Sequence, residues 1–315
     1  MQLLNTKFHI PEFDPSRMVS RRRLCRLMGY DTQLVSVSAP AGFGKTTLLS
    51  EWAADSPLNV AWVSLAPSEN SLFIFWHYVI SAISRAVDSC GSNSLNQIHS
   101  SGTIPIETLL IGLINDIADQ SAGFAIVLDD YHIISQRSIH ASMAFFIDHL
   151  PSRVRLIIAG REHPPFFSSR FRLSGRLREI DALNLRFRDD EADTLLNGIY
   201  HLRLSEHDVA SVKQTTEGWA AGLMLAMLAV RDHEDKHSMV NGLSGGHRLI
   251  FDYLMEEVLA GIDEDLCHVM TAASVLERFC PALLQAVSGC SDGHSRIRDM
   301  ENDNLFLIPL DYQRE

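Results

Sequence analysis

The chain has 315 residues, of which 46% are hydrophobic and 21% are charged, as is typical of a globular protein with two or three domains. Its net charge of −12 argues against tight, non-specific binding to nucleic acid, because phosphate neutralisation needs a basic surface. The five cysteines form no C-x-x-C pair and follow none of the usual zinc spacings. With no secretory signal and no apolar stretch longer than residues 219–230, the sequence predicts a cytoplasmic protein that does not span a membrane.

Between residues 17 and 181, apolar strand-like segments alternate with amphipathic helical ones. This alternation predicts an α/β fold, a parallel sheet with helices on both faces. The predicted strands are Gln33–Ala39, Asn59–Leu65, Phe124–Asp129, Arg155–Gly160 and Leu177–Ala182. The predicted helices between them are Thr46–Ala54, Leu72–Val87, Ile106–Ile117 and Ile139–His149. Polar residues follow several of the strands, and the carboxyl ends of such strands are where open α/β sheets bind ligands.

A glycine-rich segment, Ala39 to Thr47, follows the first predicted strand directly. Its Gly-Lys-Thr sequence, between a strand and a helix, predicts a phosphate-binding loop whose N–H groups surround nucleotide phosphates. Lys45 would contact the β- and γ-phosphates, and the Thr46 hydroxyl would hold Mg²⁺. The pattern's first glycine is Ala39 here, and we expect the loop to tolerate its small side chain. The alternative is an ordinary glycine turn, but the strand and helix on either side favour nucleotide binding.

Two carboxylates, Asp129 and Asp130, end the predicted strand that begins at Phe124. Asp129 is predicted to hold Mg²⁺, and Asp130 to orient or deprotonate the attacking water. The alternative is a turn that happens to contain two aspartates, and the phosphate-binding loop favours the functional interpretation. Arg161 follows the next strand directly and could face the γ-phosphate. The sequence alone leaves an ordinary surface arginine equally open.

After residue 184, helical spacing replaces the alternation. The acidic residues 189–191 open a helix, where carboxylates interact favourably with the helix dipole. Helices are predicted up to about residue 287, with breaks at Gly218, Ser238–Gly246 and Gly261. A last apolar run, Leu305–Leu310, is predicted to form a single strand.

With these motifs, the chain resembles the N-terminal part of the MalT-like regulators, the large ATP-binding LuxR-type transcription activators within the STAND class of signalling NTPases. The segments that carry the resemblance run in order along the chain, at residues 3–11, 19–24, 38–47, 61–65, 127–132, 217–223 and 304–307. The resemblance implies a P-loop nucleotide-binding domain over residues 1–185 and an all-α helical domain over 186–240. A winged-helix domain, incomplete at its C-terminus, would follow over 241–315.

The resemblance also implies roles for individual residues. Val19 and Arg21 would lie against the adenine and the sugar, and Arg161 would sense the γ-phosphate. Gly218 and Trp219 would form the helical-domain turn near the base. The loop supplies the rest of the implied nucleotide-binding set, which is Ala41, Gly42, Phe43, Gly44, Lys45, Thr46 and Thr47.

Two positions depart from the family pattern. Ala220 stands where the turn commonly has proline, and Ala66 stands where an acidic residue often follows the second strand. Glu69 and Asn70 are nearby, so we expect nucleotide binding to survive. Members of the family continue into a helical-repeat inducer sensor and a helix-turn-helix DNA reader. The 315 residues contain neither, so we expect this chain not to bind promoter DNA directly.

The sequence therefore favours a nucleotide switch with ATP or ADP and Mg²⁺ as ligands. ADP would hold a resting state, ATP would permit self-association, and hydrolysis would be at most that of a slow Mg²⁺-dependent ATPase. One alternative is a P-loop ATPase or kinase with rapid turnover. Another is a scaffold whose nucleotide site is degenerate.

Overall fold

The computed structural model describes residues 3–29, 32–99, 105–167, 169–233, 235–242, 262–276, 278–302 and 307. The chain divides into two compact units, residues 1–38 with 44–185 and residues 39–43 with 186–315. The first unit contains one sheet of five parallel strands in the order β2-β3-β4-β1-β5. The strands are β1 Leu34–Ser38, β2 Asn59–Ser64, β3 Phe124–Asp129, β4 Arg155–Gly160 and β5 Leu177–Ile180.

Eight α-helices of the first unit connect or flank these strands. They are α1 Arg22–Met28, α2 Lys45–Asp55, α3 Leu72–Ala86, α4 Ser92–His99, α5 Ile106–Ala118, α6 Arg137–His149, α7 Ser169–Leu173 and α8 Ala182–Leu185. Short 3₁₀ turns lie at Asn5–Phe8, Pro67–Glu69 and Tyr131–Ile133.

The three central strands, β3, β4 and β1, are buried along their whole length. Ile126 and Leu128 of β3 belong to the main hydrophobic cluster, together with Trp76 of α3. Ala125 and Val127 point to the opposite side and are buried as well. The sheet is therefore covered by helices on both faces, which is why its strands are continuous apolar runs.

One polar pair lies inside this apolar cluster. Trp76 Nε1 donates to Ser142 Oγ at 2.9 Å, and Ser142 Oγ donates in turn to the carbonyl of Ile139 at 2.8 Å. Replacing Ser142 by alanine leaves the buried indole N–H without its acceptor, so we expect the free energy of unfolding to fall by about 1–3 kcal/mol. Urea denaturation measures the loss.

The control for this prediction is Ser274→Ala. The Ser274 hydroxyl is exposed and donates to the carbonyl of Thr271 at 2.7 Å. Its removal leaves no buried group unsatisfied, so we expect a change within about 0.5 kcal/mol. Equal losses for the two variants would contradict the importance of the buried pair.

The second unit is helical in the part that the structure describes. Its helices are α9 Asp189–Asp193, which continues into a π-helical turn at Thr194–Ile199, then α10 Glu206–Thr215, α11 Ala220–Arg231, α12 Lys236–Asn241, α13 Glu264–Ala273, α14 Pro281–Ser288 and α15 Gly293–Asn302. Leu266, Val269 and Leu284 form a small core cluster beside Met300. Across the described residues of both units, no helix is long and apolar enough to cross a bilayer.

The predicted strands and helices between residues 33 and 182 are confirmed to within two residues at each end. The predicted break at Ser238–Gly246 is wrong for residues 238–241, which belong to α12. Asp235 Oδ1 accepts the N–H of Ser238 at 2.9 Å and so caps the start of that helix. The predicted break at Gly261 and all of the predicted strand Leu305–Leu310 except residue 307 lie outside the described residues.

Candidate nucleotide site

The candidate site is formed where the carboxyl ends of β1, β4 and β3 share one edge of the sheet. The register pairs Ser38 with Gly160 and Leu128 with Ile158. The start of α2 at Lys45 and Thr46, Arg161 after β4 and Asp129 at the end of β3 therefore reach the same edge. This is the edge at which open α/β sheets bind their ligands.

The loop after β1 has a glycine-dependent backbone. Gly42 and Gly44 have φ angles of 75° and 79°, which glycine adopts without steric cost. Among the described residues, leaving aside Gly44 and its two chain neighbours, no heavy atom lies within 4 Å of the position that a Cβ of Gly44 would take, so a ligand can approach the backbone there. Ala39 and Phe43 are buried, so the alanine that replaces the first glycine packs inside the protein. Thr47 is half-buried in the first turn of α2.

Lys45 is the first residue of α2 and is only 9% exposed. Burial lowers the pKa of its ammonium to about 8, the charges of Asp130 and Asp129 oppose this change, and Arg161 adds to it. The four charged groups therefore lie close enough to act on one another. A buried ammonium is stabilised by added negative charge, which the phosphates of a nucleotide supply.

Thr46 and Asp129 meet directly, because Thr46 Oγ1 donates to Asp129 Oδ2 at 2.8 Å. Burial and the charge of Asp130 raise the pKa of Asp129 to about 6, while the Thr46 hydrogen bond lowers it in part. A hydroxyl and a carboxylate are hard oxygen ligands, and Mg²⁺ usually takes one or two such ligands and completes its shell with phosphates and water. These two residues fit Mg²⁺. The described residues contain no group of three or more His, Cys, Asp or Glu that could hold a metal ion by itself.

Asp130 and His132 lie beside this pair. Asp130 has left-handed backbone angles, φ 58° and ψ 36°, which aspartate tolerates better than most residues. His132 Nδ1 lies 3.9 Å from Asp130 Oδ1. Burial lowers the pKa of His132 to about 4, and repulsion from Arg161 and Lys45 contributes, so the imidazole is neutral at pH 7. No role was predicted for His132 from sequence, although its place two residues after Asp130 was a usable signal.

The segment from Val19 to Arg21 is held by a residue that the sequence analysis missed. The N–H of Arg21 donates to both carboxylate oxygens of Glu51, at 3.0 and 2.7 Å, and the Ser20 hydroxyl donates to the same carboxylate. The Arg21 guanidinium donates to the carbonyl of Leu185 at 2.5 Å. Glu51 belongs to α2, so the helix that begins with Lys45 also fixes this segment. Contact of Val19 and Arg21 with adenine and sugar stays a prediction.

The turn at Gly218 and Trp219 contacts the first half of the loop within the second unit. Trp219 Nε1 donates to the carbonyl of Ala41 at 3.0 Å, and the N–H of Ala221 donates to the carbonyl of Gly42 at 2.9 Å. The two carbonyls are thus held by the start of α11.

Gly218 itself has two reasons to lack a side chain. Its φ is 72°, and a Cβ at this position would lie 2.8 Å from the carbonyl oxygen of Phe187. The N–H of Phe187 donates to the carbonyl of Gly218 at 2.8 Å, so the two backbones are held close together. We expect Gly218→Ala to lower the free energy of unfolding by about 2–4 kcal/mol, from left-handed strain and the clash together. Gly289→Ala is the matched control, because Gly289 has φ 70° and open space around its Cβ position.

We expect Gly289→Ala to cost only the strain of about 1–2 kcal/mol. The two variants are compared by urea unfolding. If both cost the same, the close approach to Phe187 does not contribute and the role of the glycine is conformational alone.

Residues 255–315 match the MalT winged helix domain. The chain is 31% identical over 307 residues to the serine/threonine-protein kinase PknK of Mycobacterium tuberculosis, covering 96% of this chain and 28% of PknK. It is 30% identical over 316 residues to the HTH-type transcriptional regulator MalT of Yersinia enterocolitica, covering 98% of this chain and 34% of that regulator. The chain is thus similar to MalT regulators along nearly its whole length.

The MalT of Vibrio cholerae gives the same relationship, with 29% identity over 93% of this chain and 33% of the regulator. This chain thus spans about a third of the length of the curated relatives it matches. Among solved structures it is similar to a STAND protein with a tetratricopeptide repeat sensor from Pyrococcus horikoshii, with TM-score 0.47 and 12% identity over 94% of this chain and 40% of that one. Cdc6p of Pyrobaculum aerophilum gives TM-score 0.47 and 15% identity over 96% and 90% of the two chains.

Proposed function

We propose that this MalT-like chain is an adenine-nucleotide switch module, with ADP in the resting state and ATP in a self-associating state. The observation that carries the proposal is the pairing of Thr46 Oγ1 with Asp129 Oδ2 at 2.8 Å, beside the buried ammonium of Lys45. The open backbone at Gly44 supports it. Together these groups supply what a nucleotide phosphate with Mg²⁺ needs, which is N–H donors, a cation and two oxygen ligands.

The switch depends on contacts that only one nucleotide can make. A ligand shifts a conformational equilibrium only as far as it binds one state better than the other. The loop N–H groups would serve the β-phosphate, which both nucleotides have. Arg161 acts electrostatically on Lys45 and Asp130, and we propose that its guanidinium binds the γ-phosphate of ATP.

Slow hydrolysis would reset the switch. Thr46 and Asp129 would hold Mg²⁺, which, when bound, offsets the negative charge of the phosphates. Asp130 would orient or deprotonate the attacking water, and Lys45 and Arg161 would stabilise charge on the transferred phosphoryl group. The fixed backbone around Asp130, whose N–H donates to Asp129 Oδ1 at 3.0 Å, supports this division of roles.

The kinase activity named for PknK is not proposed for this chain. Protein kinases carry their ATP-binding lysine on a strand and cover the phosphates with a G-x-G-x-x-G loop. Here Lys45 follows Gly44 at the start of a helix, which is the arrangement of a P-loop. A steady-state ATPase rate above a few turnovers per minute would favour a rapid enzyme over the switch.

The proposal is tested by releasing any bound nucleotide from the purified chain with acid and identifying it by ion-exchange chromatography. Near-stoichiometric ADP is the expected result. Light scattering then compares the mass of the chain with Mg²⁺–ADP and with Mg²⁺–AMP-PNP, and we expect a larger species only with the ATP analogue. A chain that holds no nucleotide and binds neither ligand when it is added would leave the scaffold alternative.

We still predict that this chain does not bind DNA directly. The winged-helix match over residues 255–315 makes a direct test worthwhile, and the net charge of −12 argues for weak binding. Titration of a labelled 30-base-pair duplex at 150 mM salt would decide it, with saturable binding below micromolar contradicting the prediction.

A further inference from the structure

Two buried serines on β1 hold the segment that follows β4. Ser36 and Ser38 lie two residues apart and so on the same face of the strand; both are buried. A buried hydroxyl in a central strand is destabilising unless it is hydrogen-bonded. Ser38 Oγ donates to the carbonyl of Arg161 at 3.1 Å, and Ser36 Oγ is hydrogen-bonded to His163 Nδ1 at 2.8 Å. The segment is thus attached to β1 at the backbone of Arg161 and again at the side chain of His163, two residues further on.

His163 also reaches the neighbouring strand β5. Glu179 is the register partner of Ser36 on β5, and its Oε1 lies 3.8 Å from His163 Nδ1. Arg172 donates to both oxygens of Glu179, at 2.8 and 2.7 Å. Burial lowers the pKa of His163, although Glu179 opposes the change, so a neutral imidazole shares its hydrogen bond with Ser36. His163 is therefore fixed over β1 and β5 together.

Arg161, at the first of these attachments, is the residue whose charge reaches the candidate site. Arg161 lowers the pKa values of Lys45 and His132 and opposes the rise at Asp130. A guanidinium binds a phosphate well only when its fork is held in the right direction, because orientation supplies much of the gain from a bidentate contact. The hydrogen bonds that fix the backbone at Arg161 therefore determine how well its guanidinium can contact a phosphate.

We propose that Ser36, Ser38 and His163 are positioning residues that direct Arg161 to the γ-phosphate, so that the preference of this site for ATP over ADP depends on the Ser36–His163 hydrogen bond. The inference rests on the proposed function. ADP ends at the β-phosphate, which the loop and Lys45 serve without Arg161. Loss of the hydrogen bond should therefore weaken the binding of the triphosphate and leave the binding of ADP as it was.

The test compares dissociation constants for Mg²⁺–AMP-PNP and Mg²⁺–ADP, measured by isothermal titration calorimetry on the full chain. His163→Phe and Ser36→Ala remove the hydrogen bond from either side. We expect each to lower the ratio of the ADP constant to the AMP-PNP constant about three- to tenfold, the value of one hydrogen bond. The ADP constant itself should stay within about twofold.

Three further variants make the result specific. His163→Asn places an amide where Nδ1 was and should keep the ratio within about twofold of the parent. Arg161→Ala should lower the ratio at least as far as His163→Phe does. His149→Phe is the matched control, because His149 is exposed on α6 and bonded to the carbonyl of Phe145; it should leave the ratio unchanged. Circular dichroism checks that each variant folds, and Ser36→Ala carries the test if His163→Phe does not.

The experiment distinguishes a failure of the positioning role from a failure of the proposed function. If Arg161→Ala removes the discrimination but His163→Phe and Ser36→Ala keep it, the positioning role is overturned and nucleotide binding stands. If the parent binds both nucleotides equally and Arg161→Ala changes nothing, Arg161 is no sensor and the inference is overturned as well. If the parent binds neither nucleotide, the proposed function itself fails.

Discussion

Replacing Lys45 by methionine is expected to weaken the binding of ATP and ADP alike by about 30- to 150-fold. The expectation follows from the loss of one buried, charge-assisted contact with the phosphates, which contributes about 2–3 kcal/mol. The affinity for both nucleotides should fall equally, because the β-phosphate is common to them. Isothermal titration calorimetry with Mg²⁺ measures the two constants. Methionine keeps most of the apolar stem that is buried in the parent, so the ligand-free protein should still fold.

Lys213→Met is the matched control for this prediction. Lys213 is partly exposed and its Nζ lies 2.8 Å from Asp189 Oδ1, so its loss removes a surface ion pair of small value. Its dissociation constants should stay within about twofold of the parent. Thermal shift gives a second readout, since nucleotide at a hundred times its dissociation constant should add about 2.7 kcal/mol of stability to the parent and the control. Unchanged nucleotide affinity in Lys45→Met would contradict the assignment of the loop.

The sheet was predictable because its strands are buried on both faces. The runs at 124–129 and 155–160 are wholly apolar except at their ends, and such runs between amphipathic helices usually form a parallel sheet with helices on both faces. The strand order β2-β3-β4-β1-β5 was not predictable, because it depends on which strands pair across the sheet. The helix α12 was missed for a local reason, since the capping bond from Asp235 outweighs the weak helix propensity of the residues that follow.

The close approach of Lys45, Thr46 and Asp129 could be predicted from motifs, but the residues that support the candidate site could not. Lys45, Thr46 and Asp129 occupy fixed places relative to strand ends, so their meeting follows from the parallel sheet. Glu51 and Ser36 sit inside a helix and a strand whose patterns mark them only as a polar residue among apolar ones. Their partners, Arg21 and His163, are 30 and 127 residues away in sequence. Contacts between residues so far apart in sequence depend on how the strands and helices pack together, and not on the local spacing of residues.

Motif residues and the residues that hold them contribute different properties to the candidate site. A motif names groups that can bind phosphate, whereas the affinity and the discrimination between nucleotides depend on how those groups are held. In the first unit the holding groups are buried polar residues, and a buried polar residue is stable only when it is bonded. A change at any of them is therefore expected to lower stability and to alter the geometry of the candidate site together.

Replacing Asp129 by asparagine is expected to remove the Mg²⁺-dependent part of ATP affinity and to lower hydrolysis by at least about 100-fold, a loss of about 3 kcal/mol. The amide has the size of the carboxyl and can still accept the Thr46 hydroxyl, but it lacks the charge that Mg²⁺ selects. Calorimetry of ATP binding with Mg²⁺ and with EDTA measures the first effect. Asp119→Asn, at an exposed position after α5, should leave both quantities unchanged.

The same substitution should make the ligand-free protein more stable at pH 7.5. Burial raises the pKa of Asp129 from 3.8 to about 6, so ionising it costs more in the folded chain than in the unfolded one. A group with a raised folded pKa contributes its stability below the unfolded value and loses it as the pH rises through the folded value. At pH 7.5 the carboxylate is therefore expected to destabilise the ligand-free fold, by on the order of 3 kcal/mol at 1.36 kcal/mol per pKa unit. Urea unfolding in EDTA should show Asp129→Asn more stable than the parent by up to about that amount, with the difference shrinking as the pH falls towards 4. A variant that is less stable than the parent at pH 7.5 would mean that the carboxylate supports the ligand-free fold and would contradict this prediction.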